Sequence, residues 1–368
     1  MILTFVVYFV VLLIVVPCGY IVSRNNEILS LRSLFVLFPI VAISIIAGFR
    51  YQVGTDWESY CYAYEQALIS RLSFEAIMTS TMEPLYIILN VVVAFLQIPY
   101  QFFFAVVMLI HLLFLYKSFK DYVWLLPLGL FFYFVSVFTT SLNIQRQTLS
   151  FCIFLFAINY YRNGNFMKYI VTVLIASCFH YSSLILFPVF FLRCKCFSFL
   201  NNRFIGISLY LISFLLFEYV LNLINITLTG FVTNAKYLSN MSFLGNTDME
   251  VNSGLGILIF HLIDLLIIMY SVKLSKYFEC VNFKYIYRAF IIGVILANIF
   301  GNDLFLSRVP FALENLRFLM LAFLTYYMLK RKTTLSYLCA LSLITINLCT
   351  FIMAILNGHS GCSPYQFA

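Results

Sequence analysis

Long apolar runs separated by short polar segments make up most of this chain. A helix needs about 20 apolar residues to cross a bilayer, and fewer where neighbouring helices or kinks shorten the path. Ten runs are therefore predicted to be membrane-spanning helices: Ile2–Val22, Leu34–Phe49, Phe102–Tyr116, Val123–Phe138, Asn143–Tyr161, Phe204–Thr227, Leu255–Val272, Tyr285–Phe300, Phe311–Leu329 and Leu335–Asn357.

Two further apolar segments do not fit one simple crossing each. Leu85–Gln97 is short and lies between Glu83 and Pro99, which indicates a re-entrant or interfacial helix. Met167–Leu192 is long for one span and is interrupted at His180, so we expect two short helices that turn there.

The basic residues predict which loops face the cytoplasm. If basic clusters mark the cytoplasmic side, an even number of crossings separates each cluster from the next, giving about twelve crossings with both termini outside. The clusters are Arg24/Arg32, Lys117/Lys120, Arg162/Lys168, Arg193/Lys195/Arg203, Lys273/Lys276/Lys284/Arg288 and Lys330/Arg331/Lys332. The remaining basic residues fall on or near the outer face: Arg50, Arg71, Arg146, Lys236, Arg308 and Arg317.

The composition supports a membrane protein. The chain is 63% apolar and 10% charged, against about 25% charged residues in soluble domains. We expect an all-α polytopic integral membrane protein, with a single transmembrane domain over residues 1–368 and outer loops at 49–83 and 229–253. Membrane lipids are expected partners and nucleic acid is not, because the net charge of +8 comes from short loops that orient spans. The cysteine spacing predicts no zinc site, and no cofactor is expected.

The outer segment 49–83 is the one long polar segment of the chain. It carries Arg50, Asp56, Glu58 and Glu83 in a protein with few charges. This concentration indicates a segment that performs chemistry or binds a charged ligand.

Arg146 lies in apolar surroundings. An arginine at membrane depth costs on the order of 2.5–3.5 kcal/mol, so it needs a partner or a function. It either anchors the helix to outer lipid headgroups or binds an anion, since guanidinium suits bidentate contact with phosphate or carboxylate.

His180 is the first candidate for a general base, followed by Asp56 and then Glu83. Neutral imidazole accepts a proton near neutral pH, although His180 also fits a simple polar residue at a helix turn. Asp56 fits an ordinary turn, and Glu83 before Pro84 fits an ordinary helix start.

Three aromatic residues of the outer segment, Tyr51, Trp57 and Tyr60, are predicted to stack on a sugar. The other aromatic side chains are expected to face lipid or the membrane interface. Two pairs spaced three residues apart, Glu314/Arg317 and His261/Asp264, are expected to satisfy each other.

These residues, in this order, resemble the EpsG-type branch of the Wzy polysaccharide polymerases. The resemblance runs from about residue 2 to residue 366. The matching motifs are Arg50-x-x-x-Gly54-Thr55-Asp56-x-x-x-Tyr60, Glu83-Pro84-Leu85-Tyr86, Arg146-Gln147, Ala157, Phe179-His180-Tyr181-Ser182-Ser183-Leu184, Ser307-Arg308 and Pro364-Tyr365. Arg317 is an alternative to Arg308 as the third matching arginine.

The resemblance implies a polymerase of bacterial surface polysaccharide with a helical, GT-C-like fold. Its donor would be the growing glycan on undecaprenyl pyrophosphate, and its acceptor a lipid-linked repeat unit on the periplasmic side of the inner membrane. A chain-length regulator and a flippase are candidate partners. Arg50, Arg146 and Arg308 are expected to bind the leaving pyrophosphate without metal, and His180, Asp56 or Glu83 to take the acceptor proton.

Two other functions use similar residues. A flippase or transporter of the same lipid-linked units also needs buried arginines, but it exposes its site to both sides, whereas the unusual residues here predict one face. An O-antigen ligase shares the polymerase chemistry and differs in its acceptor, so only the resemblance separates the two.

Overall fold

The structure, a computed structural model, describes residues 1–24, 33–70, 82–216, 219–220, 255–301 and 306–368. Several predicted features lie outside these described residues: the outer loop 229–253, part of the loop 49–83, the end of the span Phe204–Thr227, and the basic residues Arg32, Arg71 and Lys236.

The elements of the described residues are helical, as the apolar pattern predicts. The α-helices are α1 (Ile2–Arg24), α2 (Leu34–Gly48), α3 (Trp57–Ser70), α4 (Pro84–Ala94), α5 (Tyr100–Ser118), α6 (Leu126–Ser136), α7 (Phe138–Asn143), α8 (Gln145–Asn163), α9 (Phe166–Ser177), α10 (Arg203–Ser213), α11 (Leu255–Tyr277), α12 (Phe283–Phe300), α13 (Phe311–Glu314), α14 (Arg317–Arg331) and α15 (Thr334–Leu356). Short 3-10 helices cover Val123–Leu125, Tyr181–Arg193, Lys195–Asn201, Glu279–Val281, Leu306–Arg308 and His359–Gly361.

Several of these helices are long and apolar enough to cross a membrane. Within the described part of the chain there are five, namely α1, α5, Gly256–Tyr277 of α11, α12 and α15, or six if the bent pair Tyr181–Arg193 and Lys195–Asn201 is one span. The chain is an integral membrane protein of the polytopic, all-helical kind. Five more apolar helices have 10–17 residues, so the twelve crossings stay a prediction.

The chain forms two compact units. The first comprises Met1–Phe187 and Leu321–Ala368, and the second comprises Pro188–Met320.

The centre of the first unit is a stack of packed helices. Helix α5 packs against α2 and against α8, and α8 packs against α9. Gly48, the last residue of α2, permits the close approach to α5, because a Cβ there would lie 2.6 Å from the Ala105 methyl group and 2.8 Å from Gln101 O. Small residues at such crossings let apolar helices pack backbone to backbone in a membrane.

The apolar run Met167–Leu192 breaks where the sequence predicts. Helix α9 ends at Ser177, and a 3-10 helix begins at Tyr181. The turn between them is closed by the N–H groups of Phe179 and His180, which both bond to Ala176 O, at 3.0 and 3.1 Å. His180 therefore leaves the helix at a turn rather than facing lipid along a continuous span.

The second unit contains α10 to α13 and the start of α14. Its α10 packs against α11 and α12, and α12 packs against α13. Arg288 of α12 is a buried arginine in this unit, and it donates to Leu192 O at 2.7 Å and Cys194 O at 3.3 Å.

Candidate functional site

Glu83 lies at the centre of a polar cluster in the first unit. Its Oε1 accepts a hydrogen bond from His180 Nδ1 at 2.8 Å, and its Oε2 accepts one from Arg146 Nη1. The Tyr181 N–H also points at Oε1, at 3.4 Å. One carboxylate thus joins the two predicted site residues, which are 34 positions apart in the chain (146 and 180).

The local sequence explains how Glu83 reaches His180. Glu83 is the N-cap residue of α4, with an extended backbone, and Pro84 occupies the first helical position, where its missing N–H is not needed. The Glu83 side chain makes no capping hydrogen bond to the helix. The next N–H, of Leu85, donates to Cys178 O at 3.0 Å and so fixes the start of α4 beside the end of α9. The carboxylate is therefore free of the helix start and directed at His180 and Arg146.

Glu83 is ionised in this cluster. Burial alone would raise the pKa of Glu83, but the hydrogen bond from His180 and the positive charge of Arg146 outweigh it and hold that pKa below its ordinary value. Folding therefore stabilises the carboxylate form. This stabilisation is present at neutral pH and is lost as the pH falls through the lowered pKa.

The contact with Glu83 sets the tautomer of neutral His180. An ionised carboxylate can only accept, so the proton of the imidazole lies on Nδ1 and the lone pair on Nε2. The Nε2 atom is buried and has no hydrogen-bond partner among the described residues. His180 thus presents an unpaired basic nitrogen while its other nitrogen is anchored.

Arg146 occupies the first turn of α8, directly after a helix break. Ile144, with φ −89° and ψ 59°, separates α7 from α8. The Arg146 side chain is 24% exposed, and its guanidinium carbon lies 5.8 Å from the ring centroids of both Tyr60 and Tyr86. Its Nε is buried and has no partner in the described part of the chain. Arg146 is therefore mostly buried against aromatic rings and keeps donor capacity beyond its bond to Glu83.

Arg50 is placed differently from the other predicted pyrophosphate ligands. It is 1% exposed, and its guanidinium group donates to the carbonyl oxygens of Ala47, Val53 and Leu142 and to Gln145 Oε1. The Arg50 side chain therefore makes its hydrogen bonds to the protein itself.

The other predicted site residues of the outer segment lie at or near the start of α3. Asp56 directly precedes α3, and its N–H donates to Asn143 Oδ1 at 2.9 Å. Trp57 and Tyr60 are 8% and 3% exposed and belong to an apolar core cluster. Tyr51 is 39% exposed and packs edge-on against Trp57. Of the three aromatic residues predicted to stack on a sugar, Tyr51 is the one that presents its ring at the surface.

The remaining predicted arginines belong to the second unit. Arg308 is exposed and ends the 3-10 helix Leu306–Arg308. Arg317 binds Asp264 through two hydrogen bonds, of 2.7 and 2.9 Å, and Glu314 through one of 3.2 Å. Two carboxylates pair with Arg317, and the choice between Arg308 and Arg317 as the third matching arginine stays a prediction.

Asp264 is also linked, through Tyr210, to His261, the residue with which it is predicted to pair. Tyr210 OH contacts His261 Nδ1 at 2.8 Å and donates to Asp264 Oδ2 at 3.3 Å. The predicted pairs Glu314/Arg317 and His261/Asp264 thus meet in one network.

No role is assigned from the sequence to two residues beside the cluster, Gln145 and Tyr86. Gln145 accepts from Arg50 and donates to the Tyr86 hydroxyl. Both lie beside residues that the sequence singles out, since Gln145 precedes Arg146 and Tyr86 follows Glu83 by three positions. Their spacing alone does not indicate that they meet.

Among the described residues, no three His, Cys, Asp or Glu side chains come together as metal ligands.

Comparison with known protein families decides the assignment of the chain. Residues 33–367 match the EpsG family, and this matched range includes all the residues of the cluster. The chain belongs to the EpsG family. Its members are Wzy-type polymerases, so the resemblance drawn from the motifs is confirmed. Membership makes the chain, at the family level, a surface polysaccharide polymerase with glycosyltransferase-like activity on lipid-linked oligosaccharides.

Neither the comparison with curated proteins nor that with solved structures gives a match. The expected likeness to GT-C enzymes therefore stays a prediction.

Proposed function

We propose that this EpsG-family protein transfers a growing glycan from undecaprenyl pyrophosphate to a new lipid-linked repeat unit. The reaction would take place at the periplasmic face of a bacterial inner membrane. In this proposal His180 is the general base, Glu83 orients it, and Arg146 binds the pyrophosphate.

One observation carries the proposal: the Glu83 carboxylate joins His180 and Arg146 and leaves each with an unpaired buried nitrogen. His180 Nε2 and Arg146 Nε have no partner among the described residues. Buried polar atoms are nearly always hydrogen-bonded, so a pair of unsatisfied ones in one cluster favours a site that a ligand completes. A base beside a fixed cation is what transfer to a hydroxyl from a pyrophosphate requires.

The proposed step forms one glycosidic bond and breaks the bond between the growing glycan and its pyrophosphate. The acceptor hydroxyl oxygen attacks the anomeric carbon of the growing glycan and forms the new glycosidic bond, while its proton passes to His180 Nε2. The bond from the anomeric carbon to the pyrophosphate oxygen breaks, and that oxygen leaves with the electron pair. Arg146 stabilises the developing negative charge. Attack opposite the leaving group would invert each linkage.

Glu83, the third candidate for the general base, is proposed to orient His180 and not to take the proton itself. Its low pKa makes it a poor proton acceptor. Its proposed role is to hold the proton of His180 on Nδ1 and to stabilise the imidazolium that forms, as the carboxylate does in a Ser-His-Asp triad.

Other parts of the proposal rest on the family resemblance. Arg308 would be a further pyrophosphate ligand and Tyr51 a sugar-stacking residue. A flippase and a chain-length regulator would be partners in the same membrane. The reaction would need no metal, because arginine supplies the positive charge, so activity in purified protein should persist in the presence of a chelator.

The polysaccharide of a deletion strain tests the function. We expect loss of long chains, with a single repeat unit still attached to its final acceptor, and recovery of the ladder with the wild-type gene. Absence of even the single unit, with lipid-linked units retained at the cytoplasmic face, would instead show a flippase. Long undecaprenyl-linked chains without any transfer to the final acceptor would show a ligase.

A further inference from the structure

The guanidinium group of Arg50 is enclosed by the protein. Its Nε–H donates to Val53 O at 3.2 Å and its Nη1–H to Ala47 O at 2.6 Å. The guanidinium carbon also lies 4.4 Å from the ring centroid of Phe104. At 1% exposure, a cation held by carbonyl groups and an aromatic face presents no accessible donor to a phosphate group.

The other Arg50 nitrogen bonds to the junction between α7 and α8. Its Nη2 donates to Leu142 O at 3.1 Å and to Gln145 Oε1 at 3.2 Å, acceptors that lie 92 and 95 positions away in the chain. These acceptors flank Ile144, where the helix breaks. Arg50 therefore ties together the two sides of the break.

The same loop contacts this junction a second time. Gly54 has a φ of +98°, which favours glycine, and a Cβ there would lie 2.6 Å from Leu142 O. Asn143 Oδ1 accepts from Thr55 Oγ1 at 2.8 Å and from the Asp56 N–H at 2.9 Å. The segment that carries Arg50 is thus fitted closely to the junction.

The position of the Arg146 side chain depends on the geometry of this junction. Arg146 directly follows Gln145, whose side chain is held at both ends, by Arg50 and by the Tyr86 hydroxyl. Catalytic geometry is sensitive to errors of about 1 Å from changes far from the chemistry. A rotation of the first turn of α8 would move the Arg146 guanidinium away from Glu83.

We propose that Arg50 is a positioning residue that acts through Leu142 and Gln145 to direct Arg146 toward Glu83. This assignment replaces the direct contact with pyrophosphate that the family resemblance implies for Arg50. The predicted effect of Arg50 on turnover rests on the proposed function of Arg146. Its predicted effect on the junction between α7 and α8 does not, because that effect is measured in the protein without substrate.

Hydrogen–deuterium exchange of the purified, substrate-free full chain tests the positioning. We expect Arg50→Lys to raise exchange in peptides covering residues 141–150 by about threefold or more, because a compact ammonium group cannot bridge both sides of the break. Gln145→Ala keeps Arg50 and removes one link, so it should raise exchange at the same place, and it serves alone if Arg50→Lys does not accumulate. The matched control is Arg288→Lys, another buried arginine bonded to carbonyl groups, which should leave residues 141–150 unchanged.

Binding of undecaprenyl pyrophosphate, measured on Arg50→Lys, Arg146→Ala and the double variant, separates positioning from direct contact. We expect the double variant to bind no more weakly than Arg146→Ala, since Arg50 acts through Arg146. Additive losses, with unchanged exchange at 141–150, would overturn the proposal and make Arg50 a ligand. Raised exchange with normal binding by Arg146→Ala would support the positioning of the junction and refute the proposed role of Arg146.

Discussion

At the residue scale, the hydrogen bond between His180 Nδ1 and Glu83 decides which nitrogen of the imidazole is basic. In Glu83→Gln the amide can accept from Nδ1–H or donate to Nδ1, so the tautomer is no longer fixed. We expect turnover to fall on the order of 10²–10⁴-fold, the range over which general-base catalysis acts. This fall in turnover is measured from the polymer ladders of wild-type and variant proteins that are present in the membrane at equal abundance. Glu83→Asp, which keeps the charge, should retain more activity than Glu83→Gln, and the opposite order would refute the orienting role.

The base itself is tested by comparison with Asp56. His180→Ala and His180→Gln should both abolish long chains and cause lipid-linked repeat units to accumulate, because neither side chain accepts a proton near neutral pH. Asp56→Asn should be mild, since the hydrogen bonds that the structure gives Asp56 are made by its backbone N–H and C=O groups. If His180→Gln polymerises normally and Asp56→Asn is inactive, the role of base passes to Asp56.

Arg146 should not tolerate replacement by lysine. Its Nη1 donates to Glu83, and its Nε, which has no partner among the described residues, remains for a ligand. A point charge cannot make both contacts in the same geometry, so Arg146→Lys should impair polymerisation nearly as much as Arg146→Ala. Arg203→Lys, at an exposed arginine of the second unit, is the control and should leave the ladder intact. A fully active Arg146→Lys would leave Arg146 only the role of an interfacial anchor.

The sequence singles out the three residues that meet in the cluster of Glu83, Arg146 and His180, but it does not predict what each predicted site residue contacts. Arg146 can be selected because a charged residue in apolar surroundings is unusual, His180 because it interrupts an apolar run, and Glu83 because it belongs to the one long polar segment. The burial of Arg50 cannot be predicted in this way, because guanidinium binds carbonyl oxygens as well as phosphate, and two of its four acceptors, Leu142 O and Gln145 Oε1, lie more than 90 positions away. Trp57 and Tyr60 illustrate the same difficulty, since an aromatic side chain in a polar segment fits either a sugar platform or a core.

At the element scale, the C-terminal segment Gly361–Ala368 secures the loop that carries Arg50. Gly361 O accepts from the Gly54 N–H at 2.9 Å, and the Ala368 N–H donates to Phe49 O at 2.8 Å. The buried Tyr365 donates its hydroxyl to Ile46 O at 2.6 Å. This segment therefore supports the predicted site although it contains no residue of it.

Tyr365→Ala should release this segment from the loop. Removal of a buried aromatic side chain costs about 3–5 kcal/mol, and we expect shorter polymer chains together with increased proteolysis of the C-terminal segment. Gln366→Ala is the control, because the Gln366 side chain is exposed and its contact with the Tyr51 N–H is made by the backbone oxygen. Wild-type chain length in Tyr365→Ala would show that the site does not need this support.

At the scale of the whole molecule, helix length and loop charge give different counts of crossings. Helices of 10–17 residues, such as Phe166–Ser177, rise about 15–26 Å, which is less than the hydrocarbon core of about 30 Å. Length alone therefore counts only the longest helices. The loop charges instead predict an even number of crossings between successive basic clusters, with all the clusters on the cytoplasmic side.

Labelling of thiols in the full-length protein tests this sidedness. The native Cys194, Cys196 and Cys280 are exposed and lie among basic residues, so an impermeant maleimide added to intact spheroplasts should not reach them until the membrane is permeabilised. Ser59→Cys, at an exposed position on α3, should react from outside because the segment 49–83 is predicted to face the periplasm. Labelling of the native cysteines from outside, or protection of the Ser59→Cys thiol, would reverse the predicted orientation. It would then place the cluster of Glu83, Arg146 and His180 on the wrong side of the membrane for the proposed reaction.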